Sequence, residues 1–245
     1  MKVVFFGATR GMGRALARLL AARSDSLFLL GRDALELARS AKDLELRGAA
    51  GPVGSAECDL LDPSGFEAAL AGADEALGGF DTVVVTAGLF APQDALESDP
   101  ELCGHVLAAD FANTVLFCEA ARKRLLARGG GRLCVFSSVA GERGRKPVVL
   151  YGAAKAGLSR YLEGLDHKFR AQGLVTVTVK PGFVKTGMTE GLTPPPFAGE
   201  PEVVAARVLR ALDRGRPVVY APASWRWVML VIRALPRLVM RRIGF

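Results

Sequence analysis

The chain opens with a strand, a glycine-rich turn and a helix in immediate succession. Residues 2–6 form a short apolar run, Gly7, Gly11 and Gly13 follow with the spacing GxxxGxG, and residues 14–23 show a helical pattern. Glycines in such a turn let the backbone approach a pyrophosphate, and the helix N-terminus offers N–H groups and partial positive charge. We interpret this start as a dinucleotide-binding unit, although any tight turn between a strand and a helix favours glycine.

The alternation of strand and helix continues along the chain and predicts the fold class. Further strands are expected at residues 27–30, 52–57, 81–85, 132–136, 174–179 and 217–220. Helical patterns lie between them, notably at residues 101–128, 151–170 and 201–213. Such alternation implies a doubly wound parallel sheet with helices on both faces. We therefore predict a single α/β domain of the Rossmann type over residues 1–222, with strand order 3-2-1-4-5-6-7, and a mobile loop at residues 191–199.

The end of the second strand indicates which dinucleotide is bound. An acidic residue at this place binds the ribose 2′-hydroxyl of NAD, whereas here Gly31 is followed by Arg32. Arg32 accommodates a 2′-phosphate, and Arg10 in the glycine turn could reach the same group. Asp33 and Glu36 have the spacing of a helix capping box. The pattern predicts NADP(H), unless Arg32 is simply a solvated loop cation.

Two further strand ends add candidate cofactor contacts. Asp59 and Leu60 follow the third strand, and Asp59 either binds the adenine amino group or caps the helix expected near Pro63. Ala87 and Gly88 follow the fourth strand, where small side chains suit a cofactor lying flat across the strand ends.

A serine, a tyrosine and a lysine form the candidate catalytic group. Ser138 follows the fifth strand, and Tyr151 and Lys155 lie one turn apart on the helix after it. The pKa of a free tyrosine is about 10, and a neighbouring ammonium favours the phenolate, so Lys155 is expected to lower the pKa of Tyr151. Ser138 would hold a substrate oxygen against the Tyr151 hydroxyl. The group suits interconversion of a carbonyl and an alcohol, although tyrosine and lysine at this spacing can also be an ordinary helix pair.

Other catalytic chemistries find little support. His105 and His167 lie in helical patterns far from Ser138, and no GxSxG motif is present, which argues against a serine hydrolase. The cysteines form no CxxC pair, which argues against a metal site and indicates buried thiols in a reducing compartment. They are Cys58, Cys103, Cys118 and Cys134.

These motifs together resemble the short-chain dehydrogenase/reductase family. They are GATRGMG at 7–13, Asp59, TAG at 86–88, Ser138, YGAAK at 151–155 and PGFVKT at 181–186, in the order and spacing of that family. The resemblance implies that Tyr151 is the acid/base, that Lys155 binds ribose and lowers the pKa of Tyr151, and that Ser138 anchors the substrate oxygen. It also implies further cofactor contacts from the glycine turn and from the backbone after the sixth strand, which holds the nicotinamide carboxamide. These residues are Gly7, Thr9, Arg10, Gly11, Met12, Gly13, Pro181, Gly182, Val184 and Thr186.

One departure from the family concerns proton transfer. The family usually has asparagine in the central helix, where this chain has Asp110, and Asn113 stands where glycine is usual. The asparagine holds a water for proton relay through the lysine, partly with its backbone carbonyl, which Asp110 also has. We expect Asp110 to belong to the catalytic group and, when ionised, to stabilise the Lys155 ammonium.

The second half of the chain resembles a bacterial branch of the family more closely. The segments SSVAGERGR, YGAAKAGL and VKPGFVKTGMT and the ending are similar to the reductase partner of decaprenylphosphoryl-ribose 2′-epimerase, which reduces a keto-sugar on a polyprenyl phosphate. This resemblance implies an NADPH-dependent reduction of a lipid-linked ketone to a secondary alcohol. Two alternatives stay open, a keto-lipid reductase of the 3-ketosphinganine type and a cofactor-binding sensor without turnover.

The charge distribution singles out the C-terminus. The net charge is +7, and from Arg214 onward the chain has seven arginines and no acidic residue, while the other 25 Lys and Arg balance the 25 Asp and Glu. This pattern does not indicate a nucleic-acid-binding domain.

Residues 223–245, called the tail below, alternate apolar residues with arginines. This pattern predicts a basic amphipathic helix on an anionic membrane surface. The alternative is a helix that packs on the protein or on a second subunit. The N-terminal sequence shows no signal peptide, so we expect a cytoplasmic protein that is peripheral on the membrane and forms a homodimer or homotetramer.

Overall fold

A computed structural model describes residues 1–195 and 197–244 of the chain. The predicted strands are present and differ from expectation only at their ends. They are β1 (Lys2–Phe6), β2 (Ser26–Gly31), β3 (Gly54–Glu57), β4 (Thr82–Val85), β5 (Gly131–Phe136), β6 (Leu174–Pro181) and β7 (Val218–Ala221).

These strands form one sheet, and every neighbouring pair is parallel. Their order is β3-β2-β1-β4-β5-β6-β7, as the sequence predicted. Because all strands run the same way, their carboxyl ends share one edge of the sheet, where doubly wound folds bind ligands.

In the part of the chain that the structure describes, ten α-helices connect the strands or follow the last one. They are α1 (Gly11–Ala22), α2 (Ala34–Leu46), α3 (Phe66–Leu77), α4 (Gln93–Ser98), α5 (Pro100–Leu107), α6 (Asn113–Ala127), α7 (Val149–Phe169), α8 (Pro201–Asp213), α9 (Trp225–Ala234) and α10 (Arg237–Arg242). Among the described residues, none of them is both long and apolar enough to cross a membrane.

The helices bury both faces of the sheet in two separate cores. On β1, Val3 and Phe5 pack in the core formed with α1, α2 and α8. Val4 and Phe6 point to the other face, into the core formed with α3, α6 and α7. This alternation follows from the two-residue period of a strand, and it explains why the strands of a sheet covered on both sides are apolar throughout.

The long helix predicted over residues 101–128 is interrupted. A π-helical turn, Ala108–Ala112, separates α5 from α6. Such turns widen a helix locally and are frequent at functional sites. Here the turn contains Asp110, which is completely buried.

The tail is helical, but in two segments. Leu235 is extended and Pro236 follows, so α9 ends before α10 begins. Proline cannot continue the hydrogen bonds of the first helix. The arginines predicted to share one helical face are therefore divided between two helices.

Part of the tail's apolar face packs on the protein. Trp225, Met229 and Ile232, spaced by one helical turn, are buried against Val139 and the partly buried Phe183. The tail is thus attached to the domain, as one sequence alternative proposed, and other apolar side chains of the tail remain exposed. The exposed ones are Trp227, Leu230, Val231, Leu238 and Val239.

Candidate active site

The carboxyl ends of the strands bring the predicted site residues to one edge. The glycine turn follows β1, Arg32 follows β2, and Ala87 and Gly88 follow β4. Ser138 follows β5, and Pro181 ends β6. The sheet order places β1 and β4 side by side and β5 next to β4, so the candidate catalytic and cofactor residues lie along one edge of the sheet, where doubly wound folds have their ligand-binding cleft.

A threonine in the loop after β4 packs against the glycine turn. Gly7 has a φ of 98°, and a Cβ atom there would lie 2.6 Å from the Ala87 nitrogen. The Thr86 hydroxyl donates a hydrogen bond to the Gly7 carbonyl at 2.8 Å, and a Cβ on Gly13 would lie 2.6 Å from the same hydroxyl oxygen. Only glycine fits at both places. No role was predicted for the Thr86 hydroxyl, since this bond joins residues far apart in the chain.

The turn and the start of α1 fit a dinucleotide. Arg10 precedes α1, and its side chain does not cap the helix. The N–H groups of Gly11 and Met12 are therefore left to an anion, as the helix start favours. Thr186 from the segment after β6 lies against this turn, because a Cβ on Gly11 would approach its methyl carbon to 3.3 Å. The predicted contacts from β1 and β6 are thus neighbours.

Arg14 holds the glycine turn in place, a role that we did not predict from the sequence. Its Nε donates to the Thr9 carbonyl at 2.6 Å, and its terminal nitrogen lies 3.7 Å from the Glu36 carboxylate. Arg14 therefore ties the turn to α2. Asp33 caps α2 by accepting from the Glu36 N–H at 3.0 Å, which confirms that Asp33 is a helix cap.

Arg10 and Arg32 are both exposed at this end of the cleft. Within residues 1–195 and 197–244, neither arginine has a carboxylate within ion-pair distance. Both guanidinium groups are therefore free for a phosphate.

The third strand end contributes less than expected. The Asp59 carboxylate accepts from the Leu61 N–H at 2.9 Å, whereas Asp62 caps the helical turn at Pro63. The prediction that Asp59 might cap that helix is therefore wrong, since Asp62 is nearer to it. Leu60 is buried in the core, and its carbonyl accepts from Asn113 at 2.9 Å, so its side chain is not available to a ligand.

Tyr151 lies at the start of α7, within a frame of apolar and amide side chains. The Phe90 ring packs edge-on against the Tyr151 ring, with 5.2 Å between the ring centres. Gln93 is buried and accepts from the Leu150 N–H at 3.1 Å, which fixes the start of the helix. Neither residue was predicted, because their contacts bridge more than fifty positions of sequence. The Ser138 hydroxyl accepts from the Ala140 N–H at 3.0 Å and also interacts with the Tyr151 hydroxyl.

Lys155 forms a buried ion pair with Asp110. The ammonium lies 3.3 Å from Oδ1 of Asp110 and donates to the Phe136 carbonyl, also at 3.3 Å. The same Oδ1 accepts from the Leu89 N–H at 3.0 Å, while Oδ2 has no hydrogen-bond partner among the described residues. The carboxylate needs the glycine at 88, where a Cβ would lie 2.6 Å from Oδ1. The structure thus places Asp110 beside Lys155, within the candidate catalytic group.

The predicted lowering of the pKa of Tyr151 is wrong for this arrangement. Burial raises the pKa of the phenol, the Asp110 carboxylate raises it further, and the hydrogen bond with Ser138 acts in the opposite direction. The Lys155 ammonium is 5.7 Å from the centre of the Tyr151 ring, and Asp110 is its nearest charge. Asp110 therefore offsets the influence of Lys155 that the helical spacing suggested.

Asp110 is itself perturbed. Burial raises the pKa of its carboxyl, while the charge of Lys155 and the Leu89 N–H act to lower it. A buried carboxyl with one unpaired oxygen is a group that can take up a proton within the site.

Ser137 holds the backbone of Lys155 in place, a contact that the sequence did not predict. Its buried hydroxyl donates to the Lys155 carbonyl at 2.9 Å and lies 2.7 Å from the Ser159 hydroxyl. This bond couples the end of β5 to α7. It fixes the backbone that carries Lys155 relative to Ser138.

The segment after β6 connects the cleft to the tail. Pro181 and Val184 are buried, and a Cβ on Gly182 would overlap the indole ring of Trp225. The Trp225 indole donates to the Phe197 carbonyl at 3.2 Å. A cavity of about 520 Å³ lies beside this segment, lined by Phe183, Thr186 and residues of the predicted mobile loop. Pro196 of that loop lies outside the described residues.

The residues excluded from catalysis lie elsewhere. His105 and His167 are exposed. All four cysteines are free, with Cys58, Cys118 and Cys134 buried.

Comparison with known proteins decides the family. The family model described as short chain dehydrogenase matches residues 1–196. The chain is 36% identical over 240 residues to an uncharacterized oxidoreductase of Mycobacterium tuberculosis, covering 98% of this chain and 96% of the relative. The protein is a short-chain dehydrogenase/reductase.

Other relatives of this reductase family agree. A protein of Streptomyces violaceoruber, named as a ketoacyl reductase of the granaticin polyketide synthase, is 33% identical over 186 residues, covering 75% of this chain and 68% of the relative. The structure of a short-chain dehydrogenase/reductase from Mycobacterium ulcerans has the same fold, with a TM-score of 0.81, 22% identity and coverage of 90% of this chain and 88% of that chain.

Family membership establishes the general chemistry. The protein is an oxidoreductase that uses a nicotinamide cofactor and acts on CH–OH or C=O groups. The uncapped start of α1, next to a glycine turn without side chains, fits the pyrophosphate of such a cofactor.

Proposed function

We propose that the protein is an NADPH-dependent reductase that converts a ketone to a secondary alcohol. The observation that carries the proposal is the meeting of Ser138, Tyr151 and Lys155 in the same cleft as the two free arginines, Arg10 and Arg32.

The side chains divide the proton chemistry between them. When bound, the nicotinamide supplies the hydride that adds to the carbonyl carbon. Ser138 and Tyr151 hold the carbonyl oxygen, and Tyr151 donates its phenolic proton to that oxygen. A raised pKa of Tyr151 suits this direction, because the phenol stays protonated and ready to donate. Lys155 and Asp110 are positioned to return a proton to the phenolate.

The choice of NADPH rests on Arg32. We expect Arg32→Asp to weaken NADPH binding by about a hundredfold, because a charge-assisted contact to the 2′-phosphate is replaced by repulsion. NADH binding should change little. Dissociation constants for both cofactors would be measured by fluorescence titration, with Arg39→Asp on the exposed face of α2 as the control. Equal affinity of the unmodified protein for NADPH and NADH would contradict the assignment.

For the substrate we favour a lipid-linked ketone, such as a keto-sugar on a polyprenyl phosphate. Arg143 and Lys146 lie between Ser138 and Tyr151 in the chain, and they donate to tail carbonyls, of Leu235 at 2.9 Å and of Arg241 at 2.8 Å. The tail therefore adjoins the segment that carries both catalytic hydroxyls. Its exposed apolar side chains and arginines suit a membrane surface.

The resemblance to a reductase partner of decaprenylphosphoryl-ribose 2′-epimerase supports this substrate class. The proposal also includes a cytoplasmic location on the membrane surface and assembly into a homodimer or homotetramer. A keto-lipid reductase of the 3-ketosphinganine type fits the same features. The named ketoacyl reductase among the relatives supports ketone reduction in general. Steady-state reduction of a polyprenyl-phosphate keto-sugar, 3-ketosphinganine and a β-ketoacyl thioester would separate the substrates. No turnover of either lipid-linked ketone would contradict the lipid assignment.

A cofactor-binding sensor is the second candidate. It is favoured by Asp110, which neutralises Lys155 and helps to raise the pKa of Tyr151. A protein that binds NADPH but is inactive on all three ketones would support this candidate.

A further inference from the structure

A cavity of about 910 Å³ lies apart from Tyr151, over the β6–β7 end of the sheet. Its walls come from β6, β7, α7, α8 and α9. Eight arginine and lysine side chains line it, against three carboxylates. Residues 1–213 carry no net charge, and the cavity is basic because it combines cations of β6, α7 and α8 with arginines from the basic end of the chain.

The three carboxylates of the cavity are already paired. Glu142 binds Lys180 and Arg233, and Glu163 lies 2.5 Å from Arg160. Asp166 lies 2.9 Å from Arg170, which is outside the cavity lining. Their negative charge is therefore unavailable to the remaining cations.

Five arginines line the cavity without a carboxylate partner in the described part of the chain. They are Arg207, Arg210, Arg214, Arg216 and Arg226. Arg207 and Arg210 lie one turn apart on α8, and Arg214 is the residue that ends this helix, so all three line the cavity from one side.

Arg207 is fixed in place. Its Nε donates to the Tyr220 carbonyl at 2.6 Å, which leaves the terminal guanidinium nitrogens to a ligand. Burial lowers the pKa of Arg207, and the charges of Arg210 and Arg216 lower it further. Cations that repel one another in a cavity are stabilised when an anion of high charge binds between them.

The cavity also has an apolar wall. Val218, Trp227 and Leu230 are exposed there, and the Arg226 guanidinium stacks 5.7 Å from the centre of the Trp227 ring. An anion that carries an apolar substituent would cover these side chains, whereas a small inorganic ion would leave them in water.

We infer that this cavity binds a phosphate or pyrophosphate group, held by the arginines of α8 and by Arg216. Guanidinium groups match phosphate oxygens with paired hydrogen bonds, and clustered arginines are the usual receptors for such groups. The group comes either from a free phosphate compound or from a phospholipid or other lipid phosphate whose chain lies on Trp227 and Leu230. The inference does not depend on the reaction proposed for Tyr151.

Calorimetric titration of the full chain with inorganic pyrophosphate tests the inference, with NADP⁺ present to fill the glycine turn. We expect the unmodified protein to bind at low salt and the Arg207→Gln/Arg210→Gln variant to bind about a hundredfold more weakly, about tenfold for each arginine. Arg237→Gln/Arg242→Gln removes the same charge outside the cavity and should bind as tightly as the unmodified protein. Arg216→Gln leaves the Tyr220 contact intact and should show about a tenfold loss, which guards against misfolding of the first variant.

The source of the phosphate is tested by dihexanoyl phosphatidic acid. Tighter binding of this lipid than of pyrophosphate identifies a lipid phosphate, and equal or weaker binding identifies a free phosphate compound. Absence of pyrophosphate and lipid binding to the unmodified protein, as expected if a second copy of the chain covers the cavity, overturns the inference. An equal loss in the Arg237→Gln/Arg242→Gln control also overturns it.

Discussion

At the scale of single residues, Asp110 is the feature that distinguishes this site. A carboxylate stands where the family usually has an amide, buried within 3.3 Å of the Lys155 ammonium. It holds the ammonium in an ion pair and places its own negative charge near Tyr151. Both effects keep the phenol protonated, which favours reduction over alcohol oxidation.

Replacing Asp110 by asparagine should move the pH dependence of the reaction. The substitution removes the charge that raises the pKa of Tyr151, so that pKa falls. Reduction requires the protonated phenol, and its rate is lost as pH rises through the pKa of Tyr151. We expect the alkaline limb of kcat/KM for reduction to lie at lower pH in Asp110→Asn than in the unmodified protein. An unchanged limb, with cofactor affinity retained, would show that Asp110 does not tune Tyr151.

Single residues also show how much of the candidate site could be predicted from the sequence. The spacing of Tyr151 and Lys155 placed both on one helix turn, as the structure has them, and with Ser138 it defined the candidate catalytic group. Thr86 and Ser137 form hydrogen bonds with residues far away in the chain, so no local sequence pattern indicated their roles. The pKa of Tyr151 was predicted in the wrong direction for the same reason, since burial and the charge of Asp110 depend on the folded structure.

At the scale of elements, Glu142 joins the active-site segment to the sheet and to the tail. It follows Ser138 by one helical turn, and its nearly buried carboxylate binds Lys180 of β6, Arg233 of α9 and the Tyr220 hydroxyl of β7. Burial acts to raise the pKa of Glu142, but the bonds from Lys180 and Tyr220 and the charge of Arg233 prevail and lower it.

Glu142→Gln should therefore destabilise the protein in a pH-dependent way. Removing one partner leaves the Lys180 ammonium without its counterion, at a cost of about 3 kcal/mol at neutral pH. Because the pKa of Glu142 is lower in the folded than in the unfolded protein, its contribution is present above the ordinary glutamate pKa and is lost as pH falls. Urea unfolding at neutral pH and near pH 4 would measure this.

The matched control for this prediction is Glu163→Gln. It breaks an exposed pair with Arg160 and should change the free energy of unfolding by no more than about 0.5 kcal/mol. Equal effects of the two substitutions would contradict the role given to Glu142.

The elements themselves were mostly visible in the sequence. Strand and helix alternation predicted the sheet order, and helix α8 was predicted to the residue. The π-helical turn at Asp110 has no signal in a pattern of apolar residues, because it inserts a wider turn into a continuous helical segment. The break between α9 and α10 did have a sequence signal, Pro236 itself, although the spacing of the arginines suggested one continuous helix.

At the scale of the whole molecule, the asymmetric charge suggests how the protein meets its substrate. Residues 1–213 carry no net charge, while the tail presents exposed arginines and apolar side chains beside the segment between Ser138 and Tyr151. Attraction to an anionic membrane would orient the cleft toward the surface.

Vesicle co-sedimentation tests this orientation. Each arginine near an anionic surface contributes about 1 kcal/mol at low salt, so Arg237→Gln/Arg241→Gln/Arg242→Gln should lose most of its binding to phosphatidylglycerol vesicles. Arg39→Gln/Lys42→Gln/Lys123→Gln removes equal charge from exposed positions on the body and should bind normally. Failure of the unmodified protein to bind these vesicles would contradict the membrane proposal.

We expect hydride to pass from NADPH to a ketone while Tyr151 supplies the proton. The most direct measurement uses NADPH in which both hydrogens at C4 of the nicotinamide are deuterium, with mass spectrometry of the alcohol formed from whichever ketone of the substrate panel the protein reduces. We predict one deuterium on the carbinol carbon with the unmodified protein, and a loss of product by at least about a hundredfold in Tyr151→Phe with NADPH affinity unchanged. This mechanism would be contradicted if Tyr151→Phe formed as much deuterated alcohol as the unmodified protein. It would also be contradicted if the unmodified protein bound NADPH but transferred deuterium to none of the ketones.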